Sequence, residues 1–335
     1  MMKELTICPS TLKKGFDSYS PVAIKRLFGG EKVSHVLDFG IDQFRSQDIV
    51  THAMKKISVS GVQEKFPAIV KNGKIRLSSQ DERSRYILKP APWDETIPTR
   101  KQIPANEHLT MQIASQVYGI KTAENGLCFT NDGQVVYITR RFDINDDDSK
   151  MQMEDFASLS GKSEQTGGAF FKYDGCYEEI AMALKRHVAA WVIDMERLFE
   201  LILFNYIYGN GDDHAKNFSL IRIGNDYRLA PAYDLLNTCI HLDGDDFGLS
   251  GGLSPNIEKS DVYDHTGHPC RLDFERFAML IGLPESRTIR VLDKYIEIPA
   301  GTIELINNSF LNDKMKRKYL RIVDERTKRF IRKSE

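Results

Sequence analysis

An α+β fold in two unequal parts, the smaller rich in strands and the larger mainly helical, is what the sequence predicts. Three observations predict it. Between residues 66 and 138, short apolar runs alternate with turn signals, as strands do. From about residue 177 onward, apolar residues recur at helical spacing. Between these regions, residues 143–150 carry four aspartates and break all regular patterning. The boundary is placed there, giving a first part of residues 1–143 and a second of 144–335. With 335 residues, each part is long enough to bury its own core.

Residues 1–55 hold few strong signals and read as short mixed elements punctuated by Pro9, Gly15, Pro21 and Gly29-Gly30. The apolar runs 66–70 and 75–77 flank Asn72-Gly73 and read as a hairpin, because Asn-Gly accepts the positive φ of a tight turn. Ahead of it, Ser58-Val-Ser60-Gly61 is either a plain turn or one that offers backbone N–H groups to an anion. Residues 85–89 form a short strand. Its terminal lysine, Lys89, either sits in solvent or aims a point charge at phosphates. Pro104 opens a helix that runs to about Tyr118 and stops at Gly119, with Glu107 in its first turn. There Glu107 either complements the helix dipole or pairs with Lys89. Residues 134–138 are a further strand, leading into Arg140-Arg141-Phe142-Asp143.

In the second part, residues 161–175 are polar and glycine-rich and are expected to be a mobile loop. Residues 177–187 and 194–208 read as helices. The second is apolar on nearly every face and so belongs at the centre of a core. Two strand-like runs turned by Gly224-Asn225-Asp226 lead to Asp234. Helices over 272–281, 285–295 and 312–332 close the chain. Between Lys314 and Lys333 the last carries ten Lys/Arg against two acids, a solvated face or else a phosphate-contacting one.

The formal charge of −1 excludes a global basic field. Five scattered cysteines without a C-x-x-C read as reduced thiols, neither a disulfide frame nor a zinc site. No apolar run reaches the ~18 residues that span a bilayer, and no signal segment is evident, so a cytoplasmic protein is expected.

The chemistry concentrates in Gly209-Asn210-Gly211-Asp212-Asp213-His214-Ala215-Lys216-Asn217. Polar residues crowded between two apolar elements are costly unless they do chemistry or satisfy one another. Asp212 and Asn217 have the D-x-x-x-x-N spacing of a kinase catalytic loop. In phosphoryl transfer the Asp can accept a hydroxyl proton, while the Asn and a later Asp hold magnesium. A carboxylate–amide set of hard oxygens suits magnesium and not zinc. Asp246, inside the letters Asp-Phe-Gly, competes for the later role, but Asp234 directly ends the hairpin that begins at Asn217.

In order, S-V-S-G-V-Q-E-K (58–65), Y-I-L-K-P (86–90), R-F-D (141–143), E-D-F (154–156), G-N-G-D-D-H-A-K-N-F-S (209–219) and L-A-P-A-Y-D-L-L (229–236) resemble the HipA family of bacterial serine/threonine kinases, toxins of toxin–antitoxin systems. The resemblance covers roughly residues 1–320 and implies a two-lobed protein-kinase-like fold with a largely helical C-terminal lobe. It implies Asp212 as catalytic base, Asn217 and Asp234 as Mg2+ ligands, and Lys89 as the phosphate-binding lysine. It further implies Ser60, Gly61, Val62, Gln63, Glu64 and Lys65 as the nucleotide loop, Arg140, Arg141 and Phe142 as the hinge over adenine, and His214, Lys216, Asn217 and Tyr233 as further ATP contacts. Arg140 stands where these kinases often carry an acid, so only backbone recognition is carried over there.

Full-length members carry a further N-terminal subdomain before the nucleotide loop, which here begins at Ser58. This compact arrangement, with its S-x-S, is similar to HipT, the kinase of three-gene systems. That resemblance implies self-phosphorylation on Ser58 and Ser60, and ATP and Mg2+ as cofactors. It implies a protein substrate, an aminoacyl-tRNA synthetase, whose phosphorylation halts translation. The implied partners are a small antitoxin resembling the missing subdomain and a DNA-binding antitoxin of the HipB type, with DNA reached only through the latter. Two competing readings are a metal-dependent phosphohydrolase and an inactive kinase-like corepressor scaffold. Lys89 and the Ser/Gly turn argue against the first, since a hydrolase needs no triphosphate cradle. The intact set of Lys89, Asp212, Asn217 and Asp234 argues against the second.

Overall fold

Turn chemistry starts the first sheet. In the computed structural model, which describes residues 5–52, 64–79 and 81–331, β1 (Phe66–Lys71) and β2 (Lys74–Leu77) pair antiparallel across Asn72-Gly73. Both turn residues have positive φ, 53° and 70°, as a tight hairpin requires. β3 (Tyr86–Lys89), β4 (Asn125–Phe129) and β5 (Val135–Arg140) complete a sheet of order β2-β1-β3-β5-β4, antiparallel throughout. β4 carries no alternating pattern, and the sequence reading passes over it. Gly126 is needed in it, because a Cβ there would stand 3.1–3.3 Å from Leu27, Ser10 and the Pro9 carbonyl.

Side chains alternate across this sheet, and two cores meet at it. Leu88, Cys128, Val136 and Ile138 face a smaller core shared with α1 (Pro21–Phe28) and α2 (Ile41–His52) through Leu27, Phe28 and Phe44. Leu127 and Tyr137 face the other way, into the larger core. Lys89 follows Leu88, so it also lies on that second side, its Nζ 5.3 Å from the centre of the Tyr137 ring. α3 (Ile103–Gln116) covers this side, with Pro104 in its first turn and Leu109, Met111, Ile113 and Ala114 in the larger core. Because α3 begins at Ile103, Glu107 falls in its second turn, not the first, and is buried.

After β6 (Met153–Asp155) come two single turns, α4 (Phe156–Leu159) and α5 (Glu164–Gly167), then α6 (Tyr177–His187) and α7 (Trp191–Ile207). α7 is buried along most of its length, as its all-round apolar surface requires. β7 (Ser219–Ile223) and β8 (Asp226–Leu229) join β6 in a three-stranded antiparallel sheet of order β6-β7-β8. Asp194 of α7 fixes β8 by accepting from Arg228 Nε at 2.7 Å and from the Leu229 N–H at 3.1 Å.

The chain closes with α8 (Asp261–Thr266), α9 (Arg271–Leu280), α10 (Glu285–Leu292), α11 (Ala300–Asn308) and α12 (Asp313–Phe330). Most cations of α12 have local partners. Lys316 and Lys318 donate to the carbonyls of Asn307 and Ile240, while Arg321 and Lys328 pair with Glu325 and Asp324. Arg326 is buried against the Tyr206 carbonyl and Asp246. Lys316, Lys318 and Arg326 thus tie α12 to the elements around it, while Arg321 and Lys328 pair within the helix on its solvated face. All five cysteines are free thiols, and among the described residues no helix is long and apolar enough to cross a membrane. The α+β architecture expected from the sequence is the one the chain adopts.

Candidate active site

α7 delivers the chain into the polar loop at Gly209, whose φ is 69°. A Cβ there would stand 2.8 Å from Asn237 Oδ1, so glycine is required on two counts. Asn210 folds back on α7, its N–H donating to the Asn205 carbonyl at 2.9 Å and its amide to Asn205 Oδ1 at 3.1 Å. The Gly211 N–H donates to Thr238 Oγ1 at 2.8 Å. The Asp212 N–H donates to Asn210 Oδ1 at 3.3 Å, and Asn217 Nδ2 donates to the Asp212 carbonyl at 2.9 Å. The five-residue spacing thus closes a loop on itself, with the amide oxygen of Asn217 on the far side of that contact.

Asp234 is delivered from the other direction. The Ala123 N–H donates to the Ala232 carbonyl at 2.9 Å, and the Ala232 N–H to the Lys121 carbonyl at 2.8 Å, tying the segment after β8 to the end of α3's loop. Tyr233 Oη donates to the Lys216 carbonyl at 2.9 Å and lies 2.6 Å from Ser219 Oγ, which joins that segment to the polar loop. Its ring centre is 5.8 Å from that of Phe142. Asp234 itself has φ 56°, in the left-handed region. For a residue with a side chain this costs about 1 kcal/mol or more, and such positions gather at functional sites.

Lys89 donates to Asp234 Oδ1, and Lys65 to Asp234 Oδ2 at 2.9 Å. Lys89, only 3% exposed, also donates to Glu107 Oε1 at 2.6 Å. Of the two expected roles for Glu107, pairing with Lys89 is therefore the one the fold realises. Burial opposes every charge here, and what offsets it differs from group to group. Attraction from Lys89 and Lys65 overrides desolvation at Asp234 and holds its carboxyl well below the usual range. Asp234 and Glu107 likewise hold Lys89 above its ordinary value. Glu107, fully enclosed and near the Asp234 charge, is raised despite its lysine.

Two neighbours on the loop are perturbed by burial. His214 is lowered to about 4 and is neutral at pH 7, with Nδ1 buried and unpartnered. Asp213 is raised to about 7; its Oδ1 accepts from the Gly248 N–H at 2.8 Å, while Oδ2 is buried without a partner.

Of the residues expected at a nucleotide, Ser58, Ser60, Gly61, Val62 and Gln63 lie outside the described residues. Glu64 is half-buried and Lys65 exposed, the latter reaching Asp234. The guanidinium groups at 140 and 141 are turned to local partners. Arg140 meets the Arg26 carbonyl at 3.3 Å, and Arg141 clasps Asp143 at 3.0 and 2.6 Å. Lys216 is exposed, with Nζ 5.6 Å from the Phe171 ring centre. Asp246 is a clasp on the C-terminal helix, accepting from His268 Nδ1 at 2.6 Å and pairing with Arg326 at 3.2 Å.

One residue at the site was not anticipated. Tyr173 Oη donates to Asp212 Oδ1 at 2.8 Å, and its ring meets His214 edge-on at 5.2 Å. Its segment shows only polar, glycine-rich composition, from which no such contact can be read.

Among the described residues no three His, Cys, Asp or Glu side chains gather to hold a metal. Magnesium in phosphoryl-transfer sites is bound through one or two carboxylates plus substrate phosphates, so the hard oxygens of Asn217 and Asp234 fit it. Asp234 already draws two ammonium groups to its oxygens. The buried, unpartnered Nδ1 of His214 marks a side chain with a further contact to make.

The sequence pattern of the HipA-like C-terminal domain matches residues 57–301. A protein of Haemophilus influenzae named "Putative kinase" is 30% identical over 204 residues, 58% of this chain and 57% of its own length. "Putative kinase Y4mE" of Sinorhizobium fredii is 29% identical over 197 residues, 56% of this chain and 44% of its own. The chain thus spans about half the length of the curated relatives it matches. Among solved structures, HipA of the Shewanella oneidensis MR-1 toxin–antitoxin system, in complex with HipB and its operator DNA, is similar with TM-score 0.63. That similarity covers 85% of this chain and 70% of the other at 18% identity, so it speaks to the fold.

Proposed function

Since the chain belongs to the HipA-like C-terminal domain family, we propose that it is an ATP- and Mg2+-dependent serine/threonine protein kinase, acting in the cytoplasm as the toxin of a bacterial toxin–antitoxin system. The observation that carries this reading is the meeting of Lys89 and Asp234, 145 residues apart in sequence, at one carboxylate. A phosphate-binding lysine and a metal-binding aspartate have to converge in this way for phosphoryl transfer. When bound, ATP supplies the transferable phosphoryl group and magnesium the positive charge its oxygens require. Asn217 and Asp234 would hold the metal, Lys89 and Lys65 the phosphates, and Phe142 and Tyr233 would flank the base.

The chain's own work is to orient and to move a proton. Asp212, fixed by Asn210 and Asn217, receives the proton of the acceptor hydroxyl. Glu107 keeps Lys89 charged and aimed in a buried setting where an unpaired ammonium would be costly. The neutral, buried His214 lies beside Asp212 without adding charge.

The HipT-like S-x-S ahead of the nucleotide loop supports self-phosphorylation on Ser58 and Ser60. A protein substrate, an aminoacyl-tRNA synthetase, and a small antitoxin resembling an N-terminal subdomain follow from the same resemblance. A DNA-binding partner of HipB type is supported by the complex in which the similar Shewanella protein was solved. Incubation with γ-labelled ATP and magnesium in a bacterial lysate tests the reading. Labelled protein bands are expected with the wild-type chain and none with Asp212→Asn. Release of free phosphate without any labelled protein would overturn it in favour of a hydrolase.

A further inference from the structure

The carboxylate assigned as base already has a hydroxyl on it. Tyr173 Oη lies 2.8 Å from Asp212 Oδ1, a good length for an O–H donor on a carboxylate. A substrate serine or threonine has to present the same kind of donor to the same group. Around this contact the segment grips the polar loop. Lys216 of that loop places its Nζ 5.6 Å from the Phe171 ring centre, and the Tyr173 ring meets His214 edge-on at 5.2 Å.

We propose that residues 168–175 are an internal acceptor mimic: Tyr173 Oη holds the acceptor-hydroxyl position on Asp212, and a protein substrate displaces it in order to be phosphorylated. This rests on the assignment of Asp212 as base. The phenol keeps its proton through the neutral range, because burial and then the Asp212 charge raise its pKa. It is therefore a donor and not a competing base. Asn210 and Asn217 fix the backbone of Asp212 on both sides without Tyr173, whose hydroxyl meets the carboxylate itself.

The segment is also built to give way. Gly168 and Gly175 at its ends have φ 70° and 102°. Residues 164–170 are exposed, Phe170 to 62%, and the regular structure next to Tyr173 is the single turn Phe171–Tyr173. Sparse packing of this kind belongs to the part of a protein that opens first. At the same time Ser250 and Gly251 donate their N–H groups to the carbonyls of Tyr173 and Gly175 at 2.9 and 2.8 Å. The root of the segment stays pinned, so the phenol departs by its own torsions and returns to the same place.

The test uses the full chain with γ-labelled ATP and magnesium and water as the acceptor, so that no protein substrate has to be known. Tyr173→Phe removes the hydroxyl and keeps the ring. Its ATP hydrolysis is expected to rise about tenfold over wild type, the scale of one hydrogen bond to a charged group, with the KM for ATP unchanged. The gain is expected to vanish in Asp212→Asn/Tyr173→Phe. Hydrolysis that is unchanged or slower in Tyr173→Phe, including none in either protein, overturns the proposal and leaves the tyrosine as a positioning residue. Asp212→Asn hydrolysing at the wild-type rate overturns the base assignment itself, a different failure.

Discussion

Replacing Lys89 with methionine keeps most of the side chain's length and removes its ammonium. Glu107 and Asp234, with side chains 2% and 21% exposed, are then left with Lys65 alone to share. Removing one partner of a buried pair costs about 3–5 kcal/mol, because the other charge is stranded. The cost depends on pH, with a definite sign. The Glu107 carboxyl is already raised in the folded protein, by burial first and by Asp234 next, and loss of Lys89 raises it further. A group raised on folding gives its full stability below its unfolded value, near 4.5, and loses it as pH climbs through the folded value. The variant should therefore be only mildly weakened at pH 5 and carry the whole deficit at pH 8. With a slope of about 2 kcal/mol per molar urea, the pH 8 midpoint falls by roughly 2 M. Adding Glu107→Leu removes the stranded carboxylate and should restore most of the midpoint, since apolar replacement of a buried pair is often neutral. ATP binding should stay lost in both variants. Urea titrations followed by Trp93 and Trp191 fluorescence, with calorimetry for the nucleotide, measure both quantities. A Lys89→Met protein with its pH 8 midpoint unmoved, or a double variant no better than the single, would refute this account of the cluster.

Other outcomes are expected from the same geometry. Asp212→Asn should abolish protein phosphorylation while retaining most nucleotide binding, and Asp234→Asn should also weaken Mg-ATP binding; full labelling activity in Asp212→Asn would contradict this. Asp213, raised to about 7 by burial with one oxygen unpartnered, costs the fold stability as pH rises from its unfolded value of 3.8 towards 7. Asp213→Asn should thus gain about 2–3 kcal/mol relative to wild type between pH 5 and pH 8 in chemical denaturation, and a parallel pH profile would count against it. Asp246→Asn should lower stability by about 1–3 kcal/mol through the buried Arg326 it leaves half-paired, while kcat holds once folded; a lost kcat in stable protein would make Asp246 part of the site after all. Mass spectrometry of active protein and of Asp212→Asn should find phosphate on Ser58 or Ser60 in the first alone.

The local signals that proved readable were those with a backbone reason behind them. Asn72-Gly73 forced the hairpin, Pro104 and Gly119 bracketed α3, and the all-round apolar run marked α7 as the buried axis. α1 could have been read as well: Ser20 caps it, Pro21 opens it and Gly29 closes it in the left-handed region, yet so short a segment looks like mere punctuation. β4 could not, because Asn125 and Gly126 are poor strand formers and the strand exists by virtue of its neighbours. At the site, the spacing of Asp212, Asn217 and Asp234 was visible, and Glu107 was one of two alternatives. Lys65 was expected at phosphates, but that it would sit on Asp234 was not visible. Tyr173 was invisible, since its role depends on how a glycine-rich segment packs across the loop and not on any periodicity of its own.

In many protein kinases the lysine–glutamate pair is a switch, because the helix that carries the glutamate can swing. α3 is held too firmly for that. Thr110 Oγ1 lies 2.9 Å from the Tyr319 hydroxyl of α12, and the Asn106 amide donates to the Asn237 carbonyl at 2.9 Å and accepts the Asn237 N–H at 3.2 Å. His108 meets the Ser10 carbonyl at 2.8 Å on another side of the helix. Rotating Glu107 away from Lys89 would tear α3 from both the C-terminal helix and the segment that follows Asp234. A helix held this way keeps Glu107 on Lys89. Under the proposed kinase function, on–off control would then come from elements other than α3, from covalent marks or from a bound partner.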